Sequence, residues 1–122
     1  MSKHILLVED DELVREHVRC LLLDLGYKVT SAANARECLD IISKLEGVDL
    51  LFSDIVMPGG ISGTQLARQV RDMFPKLPIL LTSGYAEDVL HDLKSTNGQI
   101  ELLRKPYRRN DLVQALQALL NS

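Results

Sequence analysis

Chemically useful side chains stand directly after four short apolar runs of this chain. In chain order they are the carboxylates of Glu9 and Asp10, the carboxylate of Asp54, the hydroxyl of Thr82 and the ammonium group of Lys105. If the runs are parallel strands of one sheet, these groups meet at its carboxyl edge, where open α/β sheets bind ligands. Phosphoryl transfer needs a nucleophile and cations that neutralise the phosphoryl oxygens, and this set can supply both.

The strands that would place these groups are visible in the hydrophobic pattern. Short apolar runs alternate with segments of helical periodicity, as in βαβ units with a parallel sheet. Three runs are nearly continuously apolar, which is typical of strands covered by helices on both faces. Residues 27–31 alternate apolar and polar instead and predict an edge strand. The predicted strands are residues 4–8, 27–31, 48–53, 79–81 and 100–104.

Five helices are predicted, each recognised by a cap, a stop signal or a periodic apolar face. They are residues 13–25, a helix that begins after the N-cap Asn34 and stops near Gly47, a helix that ends before Pro75, a short helix with apolar positions at residues 86–93, and a last helix capped by Asn110. The alternation therefore predicts an α/β fold with five strands and five helices, in one domain covering residues 1–122.

Composition narrows the classes of function. The 122 residues suffice for one domain, and a hydrophobic content of 46% suffices for its core. A net charge of −3, without a basic run, does not point to nucleic acid. No signal-peptide core and no apolar stretch of about 20 residues is present, so no membrane contact and a cytoplasmic location are expected. Cys20 and Cys38 lack metal-ligand spacing and are expected to be free thiols.

The acidic group at residues 9–12 has two interpretations. Carboxylates in a first helical turn stabilise the helix dipole by roughly 0.3 to 1 kcal/mol each, and this suffices for Asp11 and Glu12. It does not explain why Glu9 and Asp10 should converge with a further carboxylate from the central strand, since like charges disfavour mutual ionisation. A divalent cation removes that difficulty, and carboxylate ligands suit Mg²⁺.

The other three groups also have ordinary interpretations when each is taken alone. Asp54 could begin a turn, Lys105 could be a solvated lysine after a strand, and Thr82 could be a plain strand residue. Taken together, Asp54 is a candidate nucleophile that forms an aspartyl phosphate, with Lys105 as a neutralising cation. The bond from Lys105 to Pro106 is a candidate cis peptide that aims the lysine across the sheet edge.

In these motifs, from residue 3 to residue 120, the chain resembles the receiver domain of two-component response regulators, a bacterial signalling family. The resemblance rests on residues 6–11 (LLVEDD), 54–58 (DIVMP), 81–85 (LTSGY) and 104–107 (RKPY), in the order of that family. It implies a flavodoxin-like (βα)5 sandwich, with a parallel sheet of order 2-1-3-4-5 and helices on both faces.

The resemblance also implies roles for single residues. Mg²⁺ would be held by Asp10, by Asp54 and by the backbone carbonyl of Val56, and Glu9 would act on the metal through water. Asp54 would take a phosphoryl group from the phosphohistidine of a histidine kinase or histidine phosphotransferase, and Lys105 would contact that group.

The same resemblance implies a conformational switch. Thr82 would move to hydrogen-bond the phosphoryl group and would change the surface of the fourth helix, fifth strand and fifth helix. That surface, near Leu90, His91, Leu102 and Arg109, is where a partner is expected to dock, and dimerisation through it stays open. The downstream effector is not predicted.

Two features depart from the common family pattern. Leu102 occupies the position where many receivers carry an aromatic residue whose rotation reports the switch. The loop at residues 58–63 has an extra glycine and is similar to that of receivers attached to hybrid sensor kinases. Its glycines could serve as a docking contact or be a tolerated insertion.

Three alternatives compete with the phosphorylated switch. One is a docking module that works without phosphorylation. A flavodoxin-like cofactor binder is disfavoured because the carboxylates at residues 9–11 would repel a cofactor phosphate. A phosphatase with an aspartate nucleophile would need a second carboxylate two residues after Asp54, where Val56 stands, so turnover of an external substrate is not expected.

Overall fold

The computed structural model of the chain describes residues 2–57, 62–83 and 100–120. Its sheet contains five strands, which are β1 (His4–Val8), β2 (Lys28–Ala32), β3 (Leu50–Asp54), β4 (Ile79–Ser83) and β5 (Ile100–Arg104). Every neighbouring pair is parallel, and the order is β2-β1-β3-β4-β5. The predicted sheet order is confirmed, and β2 lies at an edge as its alternating pattern predicted.

Four helices lie within the described residues. They are α1 (Glu12–Asp24), α2 (Ala35–Lys44), α3 (Gly63–Met73) and a C-terminal helix, α4 (Arg109–Leu120). The helix predicted at residues 86–93 lies outside the described residues. In that part of the chain which the structure describes, no helix is long and apolar enough to cross a membrane.

The helices cover both faces of the sheet. Alternate residues of β1 point to opposite faces, so that Ile5 packs with α1 and the C-terminal helix, whereas Leu6 packs with α2 and α3. The first core layer contains Val18, Leu22, Leu112 and Leu116, and the second contains Cys38, Ile42, Leu66 and Val70. This sandwich is the predicted flavodoxin-like fold, and it turns the carboxyl ends of all five strands to one edge.

Two strands differ from their predicted bounds in a way that matters for the site. β3 begins at Leu50 and includes Asp54, and β4 continues to Ser83 because Asp54 pairs with Thr82 in the parallel ladder. Both predicted site residues, Asp54 and Thr82, therefore lie on strands whose backbone is held by the sheet.

The helix ends confirm one predicted cap and correct another. Asn34 caps α2, since its side chain accepts a hydrogen bond from the N–H of Glu37 at 2.9 Å. The prediction that Asn110 caps the last helix is wrong, because that helix already begins at Arg109. The carboxylate of Asp111 instead accepts the N–H of Arg108 at 2.9 Å and so satisfies a donor at the helix start.

The two cysteines are free, as predicted. Cys20 is an exposed residue of α1, whereas Cys38 is a buried residue of α2, and burial raises the pKa of the Cys38 thiol to about 12. A thiol that stays protonated at neutral pH is a poor nucleophile, so Cys38 is a core residue.

Candidate functional site

The turn between β1 and α1 presents carboxylates in two different roles. Asp11 caps α1, since its Oδ1 accepts hydrogen bonds from the N–H groups of Leu13 at 2.9 Å and Val14 at 3.0 Å. The helix-end interpretation is therefore correct for Asp11. Glu9 is 6% exposed, and its Oε1 accepts the N–H of Asp11 at 3.2 Å. Its carboxylate is thereby held inward, away from bulk water.

Asp54 ends the central strand β3 and is 9% exposed. Its backbone carbonyl accepts the hydroxyl of Ser53 at 2.9 Å. The first residue of α3, Gly63, lies so close that an added Cβ would stand 2.2 Å from the Asp54 carbonyl oxygen. Only glycine permits this approach of helix to strand.

Carboxylate oxygens of Glu9, Asp10 and Asp54 come within 4.8 Å of one another. We call these three residues the acidic cluster. Burial raises the pKa of Glu9 to about 7, the negative charges of Asp54 and Asp10 add to this, and its hydrogen bond from Asp11 and the charge of Lys105 oppose it. Burial is therefore the main reason that the protonated form of Glu9 is favoured, and the two neighbouring carboxylates favour it further. A set of carboxylate oxygen ligands fits a hard divalent cation such as Mg²⁺.

Lys105 reaches across the sheet edge to the acidic cluster. Its Nζ donates to Oδ2 of Asp54 at 3.1 Å, and its backbone N–H donates to the carbonyl of Ser83 at 2.9 Å. The peptide bond to Pro106 is cis, as the sequence analysis proposed. The side chain of Lys105 is 35% exposed, so its ammonium group stands between Asp54 and solvent.

Thr82 and Val56 are neighbours of Asp54, the first across the sheet and the second along the chain. Thr82 is 3% exposed and is the ladder partner of Asp54, and its carbonyl accepts the N–H of Ile55 at 3.0 Å. Val56 follows two residues after Asp54 with its side chain 62% exposed. The structure therefore brings Glu9, Asp10, Asp54 and Lys105 into one group, with Thr82 on the adjacent strand.

Two residues at this edge were not predicted from the sequence. Gly63 was noted only as part of a loop, although a glycine at the first position of a helix, just after Ser62 as N-cap, is a signal of close packing. Tyr107 is half-buried, and its pKa is raised by burial and then by the charges of Glu9 and Asp54. Its proximity to the cluster depends on the chain path after β5, for which the local sequence has no signal.

The family follows from a comparison with known sequences. A family profile described as the response regulator receiver domain matches residues 5–117. The chain belongs to this family. Its acidic cluster, Asp54, Thr82 and Lys105 lie on the strand ends that carried the resemblance in sequence.

Curated relatives place receiver domains in two contexts. The sensor kinase CckA of Brucella abortus (strain 2308) is 35% identical over 120 residues, which are 98% of this chain but 13% of that protein. The response regulator receiver protein CpdR of the same bacterium is 33% identical over 118 residues, which are 97% of each chain. The chain thus spans a small part of one relative and nearly all of the other.

Solved receiver structures have the same fold. The chemotaxis protein CheY4 of Vibrio cholerae is 29% identical with a TM-score of 0.88, over 98% of this chain and 100% of that one. The receiver domain of the hybrid histidine kinase CckA is 32% identical with a TM-score of 0.78, over 96% and 98%. These matches support the sandwich and sheet order described above.

The structure describes some of the residues that depart from the common receiver pattern or that were expected to dock a partner. Leu102 is partly buried and packs against the core layer of α2 and α3. Arg109, predicted to lie on the docking surface, forms an ion pair with Asp24 of α1 at 3.0 Å. Leu90, His91 and residues 58–61 of the glycine-rich loop lie outside the described residues.

Proposed function

We propose that this receiver domain accepts a phosphoryl group on Asp54 from the phosphohistidine of a histidine kinase or histidine phosphotransferase. The observation that carries the proposal is the position of Asp54. Its carboxylate lies within 4.8 Å of carboxylate oxygens of Glu9 and Asp10, and its Oδ2 accepts a hydrogen bond from Nζ of Lys105 at 3.1 Å. A nucleophile flanked by a cation and by a cation-binding cluster is the arrangement that phosphoryl transfer requires.

The reaction is a displacement at phosphorus. An oxygen of Asp54 forms the new P–O bond while the P–N bond of the phosphohistidine breaks. The electron pair of the P–N bond stays on that ring nitrogen. Because the other ring nitrogen carries a proton, the histidine leaves as neutral imidazole. Lys105 neutralises charge on the phosphoryl oxygens as they approach. Because Asp54 is held by the ladder to Thr82 and by the contact with Gly63, its carboxylate needs little reorganisation.

The acidic cluster would hold Mg²⁺ through Asp10, Asp54 and the backbone carbonyl of Val56, with Glu9 acting through water. When bound, the ion supplies positive charge to the phosphoryl oxygens during transfer. Glu9 is held by the N–H of Asp11, so its carboxylate can orient a water molecule without itself moving. Asp54 ends β3, and Val56 follows two residues later, beyond the end of that strand.

A phosphoryl group on Asp54 would replace part of the contact with Lys105 and offer new acceptors to Thr82. Thr82 is on the next strand at the same level, so a small movement of its hydroxyl would reach them. The movement would pass to the surface of β5 and the C-terminal helix, together with the predicted helix at residues 86–93. That surface is our proposed site for a downstream partner and for any dimer contact.

Exposed apolar side chains beside the acidic cluster are consistent with a protein as the phosphoryl donor. Leu13 is 83% exposed, Val14 is 39% exposed and Val56 is 62% exposed. A protein that delivers a phosphohistidine to Asp54 would cover these residues and exclude water from the reaction. We propose that residues 1–122 act as a single phosphoacceptor domain in the cytoplasm, without turnover of an external substrate.

Chemical mapping of the phosphorylated residue tests this function. The protein is incubated with phosphoramidate, whose P–N bond resembles that of phosphohistidine, and with Mg²⁺, and then reduced with borohydride. An aspartyl phosphate at residue 54 is expected to appear as homoserine in the peptide that contains that position, and Asp54→Asn should abolish it. Absence of homoserine in folded protein would instead favour a docking module that works without phosphorylation.

A further inference from the structure

The turn that carries Glu9 and Asp10 is tied to α1 by one arginine. Arg15, in the first turns of α1, donates from Nη1 to the backbone carbonyl of Glu9 at 2.9 Å. The backbone N–H of Arg15 meanwhile donates to the carbonyl of Asp11 at 2.8 Å, so the residue contacts both sides of the turn. Arg15 is half-buried, and none of the roles assigned above involves it.

Glu9 lies just beyond the last strand residue, where the ladder ends. Its N–H still donates to the carbonyl of Ala32 at 3.1 Å, but its carbonyl is held by the Arg15 side chain. A charge-assisted hydrogen bond from a guanidinium is stronger and more directional than one from water. α1 is itself anchored by the buried Val18 and Leu22, so Arg15 connects the turn after β1 to a helix that is packed on the core.

Electrostatic repulsion makes this connection matter. Carboxylate oxygens of Glu9, Asp10 and Asp54 lie within 4.8 Å of one another, and Lys105 contacts only the third. Without a cation, repulsion favours any movement of the turn that carries Glu9 and Asp10 away from β3. The bond from Arg15 opposes that movement through the main chain.

We propose that Arg15 is a positioning residue of the acidic cluster, whose guanidinium keeps the turn after β1 in the conformation competent for cation binding. The inference rests on the proposed function, because it assigns Arg15 a role in preparing the metal site of the phosphoacceptor. Removal of a residue that orients metal ligands through hydrogen bonds typically weakens metal affinity by about 10 to 100-fold.

The test compares Arg15→Met, which keeps most of the apolar stem but has no donor, with Arg19→Met as the matched control. Arg19 lies one turn further along α1 and, among the described residues, forms its ion pair with the exposed Glu16, at 2.5 and 2.9 Å. The Mg²⁺ dissociation constant is measured by calorimetry, and amide hydrogen exchange at Asp10 and Asp11 is measured by NMR in the metal-free protein.

Arg15→Met is expected to weaken Mg²⁺ binding about 10-fold and to accelerate exchange at the two amides, whereas Arg19→Met should match the wild type in both. Arg15→Gln, shorter and uncharged, is expected to change both quantities in the same direction and serves if the methionine variant is poorly folded. Wild-type affinity and exchange in a folded variant of either kind would overturn the proposal. If the wild type bound no Mg²⁺, the metal part of the proposed function would fail, while amide exchange would still test Arg15.

Discussion

At the scale of single residues, the contact between Lys105 and Asp54 has the clearest chemical consequence. Lys105→Met keeps the length of the side chain but removes the positive charge that lies 3.1 Å from Oδ2 of Asp54. Loss of one preorganised electrostatic group at a reacting centre costs about 100-fold in rate, and we expect that loss in the rate of phosphorylation by acetyl phosphate at saturating Mg²⁺.

Lys44→Met is the matched control for this experiment. Lys44 is the last residue of α2 and forms an exposed ion pair with Asp40 at 3.3 Å. Its removal should leave the phosphorylation rate unchanged. Equal rates for Lys105→Met and the wild type would show that the contact with Asp54 has no part in the transfer.

Glu9 makes the stability of the metal-free protein depend on pH. Its pKa is about 7 in the folded protein, mainly because of burial, against 4.5 as the ordinary value. Between these pH values the folded protein holds a proton that the unfolded chain has lost, so the stability due to Glu9 is present below pH 4.5 and lost as pH rises through about 7. Urea unfolding without Mg²⁺ should therefore show a smaller decrease in the free energy of unfolding from pH 5 to pH 8 for Glu9→Gln than for the wild type. The same decrease in both proteins would contradict the cause assigned here.

At the scale of elements, the site depends on how α3 begins against the end of β3. A Cβ at Gly63 would lie 2.2 Å from the carbonyl oxygen of Asp54 and 2.6 Å from the Cα of Ile55, both backbone atoms that cannot rotate away. We expect Gly63→Ala to lower the free energy of unfolding by about 3 kcal/mol, measured by urea titration, and to slow phosphorylation of Asp54 as the strand end shifts.

Gly47→Ala separates this steric effect from ordinary backbone strain. Gly47 has a φ of 82°, and an added Cβ there would meet nothing within 4 Å. Its replacement should cost about 1 kcal/mol through the left-handed conformation alone and leave phosphorylation unchanged. If Gly63→Ala were no more destabilised than Gly47→Ala, the close approach of α3 to β3 would not exist in solution.

At the scale of the whole molecule, the sheet could be predicted because each buried strand has its own apolar run. The edge β2 was recognisable because only one of its faces is apolar, and the location of Asp54 and Lys105 at the same edge of the sheet follows from parallel strands. The extension of β4 through Thr82 could not be read, because polar residues end an apolar run whether or not the ladder continues. The wrong prediction of a cap at Asn110 has a similar cause. Asn110 is a residue type that commonly caps helices, but the carboxylate of Asp111 accepts the N–H of Arg108, and the helix begins at Arg109.

Cation binding should also stabilise the molecule as a whole. A ligand that binds only the folded state at about 100 times its dissociation constant adds about 2.7 kcal/mol to the free energy of unfolding. We expect Mg²⁺ to produce this increase in the wild type at constant ionic strength, and Asp10→Asn to lose most of it because the cluster then lacks one carboxylate. An equal increase in both proteins would place the ion elsewhere.

The most direct test of the central claim is the intact mass of the protein after incubation with acetyl phosphate and Mg²⁺, beside Asp54→Asn and a sample with chelator. Our account predicts one added phosphoryl group on the wild type and none in either control. Folded wild-type protein without the adduct, or an adduct that persists in Asp54→Asn, would contradict the assignment of Asp54 as the phosphoacceptor.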